Sequence, residues 1–194
     1  MKKAFARLAT LALASCALVV GITAVAQQQP NPAPRPTPEA IARGERLVGM
    51  LGCKDCHTPL GQDGKPIPGR ELTGHPENVP LPKWDPTMIA SHNAIATFGV
   101  TATAFAGPWG VSVAGNLTPD METGIGKLTL DQLKESFRSY KHWKFDNRPV
   151  LPPMPHYKDL NDEEVTAIYS YLMSRPPVKN KTPLSVVAPG PGGK

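Results

Sequence analysis

Cys53-Lys54-Asp55-Cys56-His57 constrains this chain more than any other stretch. On a helical turn, residues i, i+3 and i+4 share one side. Two thiols and an imidazole then face the same object. This spacing lets two cysteines form thioethers to the two vinyl groups of one porphyrin, while the next side chain offers a nitrogen to the iron. The expectation is therefore a c-type haem attachment site. With three Cys and five His in 194 residues, chance would give the pattern in roughly one such sequence per thousand. A thioredoxin-like dithiol would need a βαβ pattern around it, which the sequence lacks. A zinc site wants a second Cys or His pair at short spacing. The remaining cysteine, Cys16, lies far upstream.

The amino terminus reads as an export signal. Lys2, Lys3 and Arg7 precede a nearly unbroken apolar or small run to Ala26, and Ala24-Val25-Ala26 is an A-x-A cleavage site. Two other readings stay open. Leu13-Ala14-Ser15-Cys16 resembles a lipobox, which would place a lipid on Cys16. About 20 apolar residues also suffice for an uncleaved membrane anchor. Each reading exports the domain, so a periplasmic location is expected, with membrane anchoring as the variant. Residues 1–26 hold three of the 21 basic residues and none of the 16 acidic ones. Their removal leaves eighteen against sixteen, a net +2. That balance gives no case for nucleic-acid binding.

Residues 27–38 carry proline at 30, 32, 34, 36 and 38, an extended spacer. At ~3.1 Å per residue it reaches about 35 Å. A folded domain is expected over 39–178 and a flexible tail over 179–194. Thr37-Pro38-Glu39 predicts a helix start, with Thr37 as N-cap and Pro38 first in the helix. Gly44 inside this helix implies close approach of another helix. Gly52 ends the helix before the Cys-His motif. A Gly/Pro-rich loop follows, and a carbonyl near Pro66 or Pro68 is expected to hold the second ring nitrogen of His57. Asp85-Pro86 opens a short helix through Thr97. Residues 98–114 read as either a hairpin or a loop. Thr129 to Gln132 is a capping box ahead of Leu130, Leu133, Phe137 and Tyr140 at helical spacing. Asn161 caps a last helix with acids in its first turn and an apolar face of Val165, Ile168, Tyr169 and Leu172. The regular elements expected are thus helices, joined by long Pro/Gly-rich loops.

An iron held by His57 has a second face. Met50 and Met173 sit in predicted helices and read as packing. Met154 stands among prolines 152, 153 and 155, which stiffen its loop and lower the entropy lost on holding it at a metal. A thioether is a soft ligand that favours ferrous iron. Met154 is the expected sixth ligand and His156 its rival. The other histidines, 75, 92 and 142, read as surface or hydrogen-bonded loop positions.

CKDCH, NLTPDMETGIG, PPMP, YKDLNDEEVTAIYSYLMS and PPV, in this order over about residues 40–178, resemble the c-type cytochrome domains of bacterial alcohol, aldehyde and gluconate dehydrogenase complexes. The resemblance implies an all-α, class I-like fold: helices around one covalently bound haem, with long Pro/Gly-rich loops, in which the helix before the motif crosses the last helix, with Gly44 and Val48 against Ile168 and Tyr171. It implies His57 and Met154 as the axial pair. Those subunits usually carry three such motifs, whereas this chain has one. By position, Asn116 and Thr118 are placed near a haem propionate and Trp109 against the ring, although turn chemistry explains Asn-x-Thr-Pro-Asp equally well. The expected function is a mono-haem electron carrier, with Cys53, Cys56, His57 and Met154 binding haem c and no catalytic residues. The partners are redox proteins: a dehydrogenase, an oxidase or a quinol-linked complex. The alternatives are a haem peroxidase or reductase using His156 or His142, and a haem-based sensor, both with a labile sixth ligand.

Overall fold

The structure is a computed structural model. It describes residues 36–83, 85, 96–144 and 148–188. All of these fall in the compact unit Ala33–Lys194. The expected export signal and most of the expected proline spacer lie outside the described residues. So do Met88, His92 and nearly all of the helix expected over 85–97, whose last residue, Thr97, begins a strand instead.

Helix α1 spans Pro38–Met50. Thr37 Oγ1 accepts from the Ala40 amide at 3.2 Å, and Pro38 occupies the first turn, where its missing N–H costs nothing. Gly52, at φ 71°, turns the chain sharply into the short helix α2, Cys53–His57. Helices α3 (Leu130–Ser139) and α4 (Asp162–Ser174) each open on a complete capping box, Thr129 with Gln132 and Asn161 with Glu164. Lys134 and Arg138 of α3 both pair with Asp162 at the start of α4.

The most extensive helix packing is α1 against α4. A Cβ on Gly44 would lie 2.0 Å from the Ala167 carbonyl oxygen and 2.7 Å from Tyr171 Cβ, so only glycine lets these helices cross so closely. Val48, Val165, Ile168, Tyr171 and Leu172 are buried at the crossing, and Leu72, Ile125, Leu128 and Leu133 complete the core. Met173 packs against this core, whereas Met50, expected as packing, is 76% exposed.

The all-α expectation is wrong. Besides the four helices, the described residues form a four-stranded antiparallel sheet, ordered β1 (Thr97–Phe98), β2 (Ala104–Gly107), β3 (Gly110–Val113), β4 (Val186–Val187). The hairpin reading of 98–114 prevails. Gly107 and Gly110 pair across a two-residue turn, with Gly110 at φ 106°, and Phe105 lies opposite Ser112. The period-2 signal was weak because Ala106, Val111, Phe105 and Ser112 are buried on both faces. The fourth strand comes from the expected flexible tail. Residues 179–188 are not loose: Asn180 is 1% exposed, and Val186-Val187 pair with β3.

Candidate haem-binding site

Helix α2 is a single turn, and it presents Cys53, Cys56 and His57 together. Both cysteines are free thiols, half-buried. Burial pushes the Cys53 thiol up to about 11, and it raises Cys56 as well, with the Asp55 carboxylate acting in the same direction. Both are therefore neutral near pH 7. His57 is buried, and its Nδ1 lies 2.8 Å from the Gly115 carbonyl oxygen. A carbonyl only accepts, so Nδ1 carries the proton and Nε2 keeps a bare lone pair. Burial lowers the His57 pKa, while the Gly115 bond acts in the opposite direction.

The acceptor is thus Gly115, not a carbonyl near Pro66 or Pro68. That loop does return to the site by another route. Gly74 N–H donates to the His57 carbonyl at 2.8 Å, and Leu72 N–H to Thr58 Oγ1 at 3.1 Å. Gly115 lies two residues beyond the end of β3, so the sheet delivers the carbonyl that orients the imidazole. Nothing in the local sequence marks it.

Met154 sits half-buried in the loop between α3 and α4. Three contacts anchor this loop. Tyr140, in the left-handed region at the end of α3, donates its hydroxyl to the Met154 carbonyl. Ser112 of β3 donates to the Pro152 carbonyl. Tyr157 donates to the Leu51 carbonyl at 2.7 Å, just before α2. Burial, then the proximity of Cys53, Cys56 and Asp55, drives the Tyr157 phenol pKa up. The Met154 loop is therefore docked on the amino-terminal end of the Cys-His turn. Tyr140, Ser112 and Tyr157 were missed by sequence reasoning. Tyr157 had one available signal, its place three residues beyond the candidate ligand.

The rival ligand His156 is exposed, its ring stacked on Tyr140 at 3.4 Å between centroids. His142 stacks beside Trp143, and its Nδ1 accepts from the Lys144 amide at 3.1 Å. His75 is fully buried and bonded through both ring nitrogens, to Thr103 Oγ1 and the Val79 carbonyl. Asn116 and Thr118 are buried and bonded to each other and to the Val178 carbonyl. Trp109 Nε1 donates to Ser112 Oγ at 3.3 Å. Among the described residues, no group of three or more His, Cys, Asp or Glu is placed to hold a metal ion.

The donor set fits a haem c: two uncharged thiols on one turn, and beside them an imidazole whose outer nitrogen is oriented and unprotonated. Residues 41–176 match the model of the Cytochrome c family. The chain belongs to the cytochrome c family. Haem c is the cofactor that family membership brings, and electron transfer its role. The cytochrome is 28% identical to the fructose dehydrogenase cytochrome subunit of Gluconobacter japonicus over 88% of this chain and 28% of that protein. It is 28% identical to the gluconate 2-dehydrogenase cytochrome c subunit of Pantoea cypripedii over 81% of this chain and 27% of that one. A nicotinate dehydrogenase subunit of Pseudomonas putida matches at 35% over 39% of this chain and 6% of its own length. The cytochrome thus spans less than a third of each of these relatives. Among the described residues no helix is long and apolar enough to cross a membrane.

Proposed function

We propose that the cytochrome is an exported, mono-haem electron carrier in which Cys53 and Cys56 hold the haem covalently and His57 and Met154 bind its iron from opposite faces. Its donor or acceptor is a periplasmic dehydrogenase or a respiratory-chain complex; the dehydrogenase is supported by the names of its relatives, which are cytochrome subunits of dehydrogenases. When bound, the haem supplies a one-electron couple at iron. The chain does the rest. The Gly115 carbonyl orients the His57 ring and adds electron density to it. Tyr140 and Ser112 hold the Met154 loop by its backbone carbonyls and leave the thioether available. Two protein ligands exclude small molecules and limit rearrangement on reduction.

The observation that carries this reading is the Tyr157 bridge, which brings the Met154 loop to the start of the Cys-His turn. His156, the rival ligand, is exposed with its ring stacked on Tyr140, which supports Met154 as the ligand and with it the carrier over a peroxidase, reductase or sensor. One Cys-x-x-Cys-His in the sequence supports one haem, and the leader supports export. The test is the optical spectrum of the purified protein, with a haem count per chain. Expected are one haem and a low-spin ferric form with the far-red band of methionine ligation, lost in Met154→Ala. A high-spin form that binds cyanide rapidly would sink the carrier reading, and a Met154→Ala variant that keeps the band would sink the ligand assignment.

A further inference from the structure

Asn180 follows the last helix in a segment without sequence periodicity, yet it is 1% exposed and every polar group it has is engaged. Its Nδ2 donates to the Thr73 carbonyl at 2.7 Å and the His75 carbonyl at 2.9 Å. Its Oδ1 accepts from Arg70 Nη2 at 2.9 Å and from the Glu77 amide at 3.3 Å. Its own N–H donates to Thr123 Oγ1 at 3.0 Å, and its carbonyl accepts from Asn116 Nδ2 at 3.5 Å. An amide side chain that bridges two carbonyls flanking one residue fixes that residue. Here the residue is Gly74.

Gly74 and Asn116 are the two neighbours of the His57 anchor. Gly74 N–H holds the His57 carbonyl, and a Cβ on Gly74 would lie 2.5 Å from the Gly115 carbonyl oxygen, so the two backbones are in direct contact. Asn116, next to Gly115, is tied to the segment beyond α4 through the Val178 carbonyl at 2.8 Å and through Thr123 Oγ1 at 3.3 Å. Both flanks of the carbonyl that orients His57 therefore converge on Asn180.

We infer that Asn180 is a positioning residue for the axial imidazole: it clamps the Gly74 and Gly115 backbones and so sets the strength of the His57 Nδ1–H to Gly115 hydrogen bond. The inference rests on the reading of His57 as an iron ligand. A stronger bond to Nδ1 gives the ring more anionic character and favours ferric iron. Loosening the clamp should favour the reduced form.

The experiment uses the full-length, haem-loaded protein with Asn180→Ala, Thr123→Val and Thr123→Ser. The Thr123 pair covers the case in which Asn180→Ala does not fold. Valine is close in shape but removes the oxygen that links Asn180 to Asn116, and serine keeps it. Val165→Ala, a core truncation in α4 away from the site, is the control for general destabilisation. The reduced-to-oxidised ratio at equilibrium with a fixed mediator is expected to rise at least threefold in Asn180→Ala and measurably in Thr123→Val. The His57 ring proton resonances should move with it. Thr123→Ser and Val165→Ala should stay at the wild-type ratio. Ratios and ring resonances unchanged in both Asn180→Ala and Thr123→Val, or changed equally in Val165→Ala, overturn the proposal. Failure of the ligand reading would show separately, as a wild-type protein without the low-spin haem spectrum.

Discussion

Single side chains here do more to join distant segments than to fill space. Tyr140, Tyr157 and Tyr169 each donate a hydroxyl to a backbone carbonyl, of Met154, Leu51 and Leu128 respectively. Tyr171 is the contrast. Its ring is buried at the α1–α4 crossing, with Lys54 Nζ 5.6 Å and the Arg175 guanidinium 5.2 Å from its centroid. Among the described residues its buried hydroxyl has no hydrogen-bond partner within ordinary geometry. A buried hydroxyl that makes no bond costs about 1 kcal/mol or more in desolvation. Tyr171→Phe keeps the ring and both cation contacts, and it should raise stability, read from the denaturation midpoint, by about 1 kcal/mol. A loss of similar size would mean the hydroxyl does find a partner.

At the scale of elements, the α1–α4 crossing organises the domain. Its closeness follows from one glycine, whose absent Cβ admits the Ala167 carbonyl. Gly44→Ala gains about 1 kcal/mol in helix propensity. The overlap is with backbone that cannot rotate away, so the helices must separate. The net expectation is a loss of about 3 kcal/mol, read from urea denaturation. A variant as stable as the parent would show that the crossing is looser than it stands here. The same element scale explains which expectations held. Thr37, Thr129 and Asn161 were legible because caps are local: a side-chain oxygen, an amide two or three residues on, and nothing else. The sheet was legible only in part, as a hairpin that the sequence could not separate from a loop. Its strands have two to four residues, both inner ones are buried on both faces, and β4 joins from more than 70 residues downstream.

The whole molecule responds to pH through groups whose folded and unfolded affinities for protons differ. His142 is held down to about 4 by burial, then by the Arg148 and Lys144 charges. Its ordinary value is near 6.5, so between pH 6.5 and 4 the unfolded chain binds a proton there that the folded chain does not. Stability must therefore fall as pH falls through that window, by on the order of 2 kcal/mol once solvent screening of this part-exposed ring is allowed for. Thermal midpoints of the haem-loaded protein should show this slope, and His142→Gln should flatten it. An equal slope in the variant would assign the effect elsewhere. Toward the lower end of this window a second loss begins. The carboxylates of Glu71, Asp120 and Asp162 are lowered by hydrogen-bonding partners, Lys54, Thr123 and Lys134 first, and their contribution disappears as pH falls through the folded values.

By itself the sequence determined the chemistry: a pair of thiols and an imidazole on one helical turn, since that spacing is a property of consecutive residues. It also determined where three helices begin, because caps and first-turn acids act within four residues. The tertiary structure decided how the imidazole is aimed and what holds the Met154 loop. Gly115, Ser112 and Asn180 act on residues 40 to more than 100 positions away. Contacts at that range depend on how a hairpin and a trailing segment close against each other, and no local pattern of polarity encodes such a closure.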